Sequence, residues 1–219
     1  MSKLILKDSP VGIDTVINNI NNLVYTELDW LSTDEENPVN YTAYHRALKN
    51  PRGAGLVPEV YNLEEGTVYG EYTEVLYDDT LDASSFFYTS NSIDAIDNGR
   101  MFSTTLSIVF QVDLSKVADN IQHRGDSEIH RIVVNAINKG IYGKVSSVVT
   151  GISDVYSEFD QSQIEFTDMH PFHCFRVDID VNYGFDCCKD GCNLHAEGFL
   201  QTVSGGYILL VDGGKIIIN

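Results

Sequence analysis

MFSTTLSIVFQVDL, running from Met101 to Leu114, is the stretch on which the fold turns. Leu106, Ile108, Phe110, Val112 and Leu114 fall on every second residue; Thr105, Ser107, Gln111 and Asp113 fall between them, with Val109 the one apolar exception. A two-residue period sends alternate side chains to opposite faces of a pleated strand, so this segment reads as a strand with one buried face and one wet or only partly covered. A short polar link leads into RGDSEIHRIVVNAINKG, where Ile129, Ile132, Val133, Ala136 and Ile137 recur at three- and four-residue steps. That is the stripe of an amphipathic helix, with Asp126 or Ser127 suited to cap its start and Gly140 to end it.

Working outward, Phe172 to Phe185 repeats the strand pattern: Phe175, Val177, Ile179, Val181 and Tyr183 alternate with Arg176, Asp178, Asp180 and Asn182. The two long strands are expected side by side and antiparallel, with helices on their apolar face. Upstream, Ser9 and Pro10 suit the start of a first helix, whose inner face carries Ile13, Val16, Ile17, Ile20, Val24 and Leu28, with Asn18, Asn19, Asn21 and Asn22 on another. Between Asp29 and Val57 the pattern fails, broken by Asn37-Pro38, Asn50-Pro51, Gly53 and Gly55. This reads as a long irregular arm with at most one short helix near Tyr41 to Leu48, and loops of that length are usually functional or mobile. Short strands are expected at Pro58 to Tyr61, Tyr72 to Tyr77, Ser85 to Thr89 and Val145 to Val149, with Asp78 and Asp79 as a turn, a polar break from Ser92 to Gly99, and a loop or short strand from Ile152 to Phe159. At the C-terminus, Gly198 to Val203, Tyr207 to Val211 and Lys215 to Ile218 are split by Ser204-Gly205-Gly206 and Asp212-Gly213-Gly214, the signature of a β-meander. The expected fold is α+β: a mostly antiparallel sheet with helices packed on one face, plus the C-terminal β-meander. Residues 1–185 form the core, with its 29–57 arm, and 186–219 form a cysteine-containing tip and meander.

Composition narrows the function. Lys and Arg number 14 against 32 Asp and Glu, a formal charge of −18 in 219 residues. Gripping nucleic acid by its phosphates requires cationic side chains, so that class is disfavoured; solubility, repulsion from DNA, or docking to a basic partner fit. No apolar run approaches the roughly 20 residues that span a bilayer, and Leu4 to Leu6 is too short for a signal-peptide core, so export is not expected. Cys174, Cys187, Cys188 and Cys192 are then expected as free thiols in a reducing cytoplasm.

Candidate chemistry is sparse. Cys187, Cys188, Cys192 and His195 have the residue types of a zinc site but poor spacing, because adjacent strand cysteines point to opposite faces. The simpler reading is a polar hairpin tip turning at Asp190-Gly191, and no metal or cofactor is expected. His170, His173 and Cys174 would supply the nucleophile and base of a hydrolase, but no orienting third group is evident. Arg124-Gly125-Asp126 spells an adhesion tripeptide that a helix cap explains equally well. Asp78-Asp79 and Asp178/Asp180 read as a turn and a solvated strand face rather than a cation site. Phosphate-loop, dinucleotide, HExxH and nucleophile-elbow motifs are missing from the sequence, and no enzyme is expected.

PEVY (Pro58 to Tyr61), EYTEVLYDD (Glu71 to Asp79), Phe86-Phe87, IVFQVDL (Ile108 to Leu114), HRGDSEIH (His123 to His130) and FTDMHPFH (Phe166 to His173) occur in this order after the leading helix. Together they resemble structural neck proteins of tailed bacteriophages, the tail-terminator-like head-to-tail connector ring proteins in particular. The resemblance spans roughly Ile13 to Tyr183 and leaves the segment from Cys187 outside it. It implies a non-enzymatic virion protein, made in the host cytoplasm, that closes into a homo-oligomeric ring between portal and tail proteins while double-stranded DNA passes through without specific binding. Acidic side chains lining the lumen would keep that DNA from sticking. Trp30, Tyr41 and Tyr44 on the arm, with Tyr72 and Tyr77 beyond it, are the expected inter-subunit contacts. Competing expectations are a head-completion or tail-tube protein, an acidic DNA-mimicking host inhibitor, and the hydrolase on His170, His173 and Cys174.

Overall fold

The computed structural model describes residues 2–28, 39–53, 55–62, 71–76, 78, 80–117, 125–163, 170–184, 210–211 and 215–216. The chain divides into two compact units, Met1–Phe185 and Asp186–Asn219.

In the first unit the long alternating segments pair as their pattern requires. Strand β8 (Met101–Asp113) runs antiparallel to β10 (Phe172–Gly184), in register from Phe172 opposite Asp113 to Gly184 opposite Met101. β8 also pairs antiparallel with β6 (Ala83–Thr89), and β10 with β9 (Lys144–Thr150). On the far side of β6 lies β2 (Tyr41–Arg46), parallel to it, and then β1 (Lys3–Leu4), parallel to β2. The sheet order is β1-β2-β6-β8-β10-β9, with β7 (Asp94–Ile96) on the outer end of β8. The molecule is thus α+β on a mixed, mostly antiparallel sheet.

One face carries Leu106, Ile108, Phe110 and Val112 of β8, Phe87 of β6 and Phe175, Val177, Ile179 and Val181 of β10, all buried. Helices α1 (Ile13–Glu27) and α3 (Asp126–Lys139) seal it with Ile17, Ile20, Val24, Ile129, Val133 and Ile137. Phe110 and Phe175 stack at 5.0 Å between centroids in its centre. The opposite face is not simply wet. Val109, Phe86, Tyr88 and Cys174 form a second core with Val57, Val60, Val75, Leu76, Val155, Tyr156 and Phe159. Its cover is a three-stranded sheet of β3 (Leu48–Arg52), β4 (Gly55–Asn62) and β5 (Glu71–Glu74), together with the segment after the short helix α4 (Ile152–Val155). Val109, the one break in the alternation, is the apolar residue of β8 in this second core.

Several expectations need correction. The arm over residues 29–57 is not irregular from Tyr41 onward: Tyr41–Arg46 is a strand of the main sheet, and β3 and the start of β4 make a hairpin around Gly53, at φ 62°. Pro51 fits there because β3 is an edge strand, where a missing N–H costs no ladder bond. The first helix starts at Ile13, after Gly12 at φ 60°, and not at Ser9-Pro10. Asn21 belongs to its buried face, where the side-chain amide donates to the Tyr44 carbonyl at 3.2 Å. Gly125, not Asp126 or Ser127, precedes the first turn of α3. The segment at 152–159 opens as a helix, α4, and the strand expected at Tyr72 to Tyr77 covers Glu71–Glu74. A further four-residue helix, α2 (Leu114–Val117), follows β8 directly.

In the second unit β11 (Leu210–Val211) pairs antiparallel with β12 (Lys215–Ile216), the last hairpin of the expected meander. The rest of the meander and the cysteine tip lie outside the described residues.

Candidate functional site

Polar groups converge at a concave site beside the start of α1 in the first unit. Asp14 sits in the first turn of α1, where the helix dipole favours a carboxylate, and is 5% exposed. Two cations reach it. Arg46, the last residue of β2, places Nε 2.9 Å from Oδ1 and donates from Nη2 to Oδ2 at 3.2 Å. Lys7, just past β1, donates from Nζ to the same Oδ2. Lys7 is held there by its backbone: its N–H donates to Asn18 Oδ1 at 3.1 Å and its carbonyl accepts from Asn18 Nδ2 at 2.8 Å. The parallel β1-α1-β2 connection therefore assembles the triad, since it brings the end of β1, the start of α1 and the end of β2 to one place.

Above the triad opens a cleft of about 500 Å³, lined by Ile5, Leu6, Lys7, Asp8, Asp14, His45, Arg46, Leu48, Tyr61 and Tyr72. Its far wall is the three-stranded sheet. Tyr61 of β4 and Tyr72 of β5 are cross-strand partners, packed edge to face at 5.3 Å, and His45 Nε2 donates to the Tyr61 carbonyl at 2.8 Å. Leu6, Leu48, Tyr61 and Tyr72 are each between 40% and 52% exposed, a cluster of apolar surface in one concavity. Volume, apolar walls and a few fixed charges are the ingredients of a binding site.

Of the expected contact residues, Tyr72 lies in this cleft and Tyr44 is a half-buried residue of β2. Tyr41 is corrected: it is wholly buried, stacked on Tyr25 at 5.8 Å with its hydroxyl 2.7 Å from Ser85 Oγ. Burial pushes its phenol well above the ordinary range. It serves the chain's own core and offers no surface to a neighbour. Trp30, Tyr77, Cys187, Cys188, Cys192 and His195 lie outside the described residues.

The hydrolase grouping does not assemble. His173 and Cys174 are adjacent on β10 and point to opposite faces, His173 to the helices and Cys174 to the second core, while His170 is exposed. His173 instead meets His130 of α3, Nε2 to Nε2 at 2.9 Å, with Phe175 packed against both rings. Burial, then the neighbouring imidazole, pulls the His130 pKa below its ordinary value, against a smaller opposing pull from Asp126. Asp178 is likewise saturated from within: Ser107 Oγ donates to it at 2.7 Å, Ser147 Oγ at 2.8 Å and Arg176 Nε at 2.8 Å. Those donors outweigh its burial and hold its carboxyl below the usual range. Among the described residues, no three or more His, Cys, Asp or Glu side chains converge as metal ligands, and no helix is long and apolar enough to cross a membrane.

Neither the Lys7–Asp14–Arg46 triad nor the His130–His173 pair was singled out from the sequence. Their members are far apart in the chain, and only an acidic residue in a first helical turn, Asp14, carried a local signal. Comparison of the chain with protein-family models and with curated proteins finds no match.

Proposed function

We propose that this chain is a structural protein of a tailed-bacteriophage virion, forming a ring in the head-to-tail connector through which double-stranded DNA passes. The observation that carries the reading is the unequal pair of ends of the main sheet. At one end β9 offers a seven-residue edge that, among the described residues, pairs only with β10. At the other end stands the two-residue β1, with the aromatic cleft beside it. A closed ring of identical copies needs two different patches that meet head to tail, and two unlike ends of one sheet supply them. The charge of −18 supports the same reading, since an acidic wall repels passing DNA. So does the resemblance of the ordered core segments to neck proteins, which falls on this unit.

An exposed edge strand that is long and nearly free of charge is a template for pairing, and a lysine placed on it blocks that pairing. Val148 is 40% exposed on β9. Native mass spectrometry of the purified chain is expected to give a closed oligomer, and Val148→Lys to give a monomer with unchanged circular dichroism. A wild-type chain that is monomeric in the same buffer as the variant would overturn the reading.

A further inference from the structure

We infer that His130 and His173 form an acid-operated latch: two imidazoles sharing one proton hold the start of α3 against β10 and release it when both rings are charged. The latch belongs to the first unit alone and does not depend on ring closure.

The proton count comes from the contact itself. The two Nε2 atoms lie 2.9 Å apart while the ring centroids are 5.1 Å apart, so the rings meet tip to tip. A bond between two ring nitrogens needs one donor and one acceptor, so one imidazole gives its Nε2–H and the other its lone pair. An imidazolium donates from both nitrogens. With both rings charged, the contact holds two donors and no acceptor, and like charges meet at hydrogen-bond distance.

The surroundings give that charge little relief. His173 is 3% exposed and His130 is half-buried. Phe175 packs on both rings, at 4.5 Å from His130 and 5.7 Å from His173. Among the described residues, the titratable groups acting on His130 are His173 of β10 and Asp126 of α3. From β8, Val112 is the partner of His173, and α1 lines the same core with Ile17, Ile20 and Val24.

One side of the latch is free to move. β10 is paired on both edges, with β8 and with β9, so His173 is fixed. His130 sits in the second turn of α3, beside buried Ile129. The far end of the helix stays seated through buried Val133 and Ile137. Acid therefore lifts the first turns of α3 and uncovers Ile129 and Phe175. Burial and then His173 hold the His130 pKa below 6.5, so the open form takes up the proton more readily. The closed form is favoured above pH 6.5 and loses ground as pH falls from there through the folded pKa, by at most about tenfold per pH unit for one proton taken up.

Hydrogen exchange of the full chain, read by mass spectrometry and corrected for the intrinsic pH dependence of amide exchange, follows the opening. Residues 126–133 are expected to lose protection by up to about tenfold per pH unit below pH 6.5. They are also expected to exchange faster than residues 174–181 of β10, because the helix start opens while the strand stays paired. His130→Gln keeps a polar tip that can donate or accept but takes up no proton, and its protection over 126–133 is expected to stay level with pH. At neutral pH, nuclear magnetic resonance is expected to show scalar coupling between the two Nε2 nuclei across their bond. No coupling there would mean that no proton is shared. Equal protection of the two segments at every pH would mean that α3 has no opening of its own. A wild-type chain without the pH dependence, or a Gln variant that keeps it, would assign the effect elsewhere. Any of these results overturns the latch.

Discussion

Gln111 shows how much one side chain holds in this fold. It points from β8 into the second core, where its Nε2 donates to the Leu76 carbonyl and to the Tyr156 hydroxyl, both buried. Gln111→Leu keeps the volume but removes the donor to the Tyr156 hydroxyl and leaves the Leu76 carbonyl only a long bond from that hydroxyl at 3.5 Å, and an unsatisfied buried group costs about 1–3 kcal/mol. The denaturant midpoint should fall accordingly, with the slope unchanged. His130 gives a pH dependence. Its folded pKa lies below the ordinary 6.5 because burial and His173 disfavour the charged ring. The unfolded state then binds the proton more readily, so the stability contributed by His130 is full above pH 6.5 and is lost as pH falls from there through the folded pKa. The groups facing it are His173 and Phe175 of β10 and Asp126 one turn earlier on α3. His130→Leu is expected to flatten the stability–pH curve just below pH 6.5; an unchanged slope there would refute the assignment.

At the scale of elements, β9 is the strand on which the proposed assembly depends, and its seating is set by a glycine. A Cβ on Gly143 would lie 2.6 Å from Ile179 Cγ2, 2.8 Å from Val181 Cγ1 and 3.0 Å from the Asp180 carbonyl. Gly143→Ala must therefore push the start of β9 off β10, at a cost of about 1–3 kcal/mol typical of overpacking. Thermal melting should show the loss, and faster hydrogen exchange over residues 144–150 should locate it. Elements were legible in the sequence in proportion to the length of their periodic run. β8 and β10 alternate over long runs, from Leu106 to Asp113 but for Val109 and from Phe175 to Tyr183, and the two 13-residue strands pair in full register. β2 was missed because six residues of YTAYHR show little alternation when most of them are buried. β3 was missed because Pro51 reads as a breaker until its place on a sheet edge is known. Asn21 was misplaced because a buried amide looks polar in sequence and only its bond to Tyr44 reveals the core side. The cleft was legible in part: Tyr72 stood out as an aromatic on a strand, whereas the triad beneath it depends on the parallel pairing of β1 with β2, which no local pattern encodes.

Across the whole molecule, the proposed ring has to bring together copies that each carry −18. At about 0.15 M salt the screening length is roughly 8 Å, so repulsion fades except where surfaces touch. There the contact must be apolar, hydrogen-bonded or charge-paired, and the two ends of the sheet offer all three: an edge on β9 that among the described residues pairs only with β10, tyrosine and leucine in the cleft, and two cations on one carboxylate. Electron microscopy of the purified chain at that salt concentration tests this most directly. The account predicts end-on views of a closed ring of identical copies, with the β9 edge of each against the cleft of the next. A field of single-chain particles at every concentration reached, with the Lys7 and Tyr72 side chains open to solvent, would contradict it.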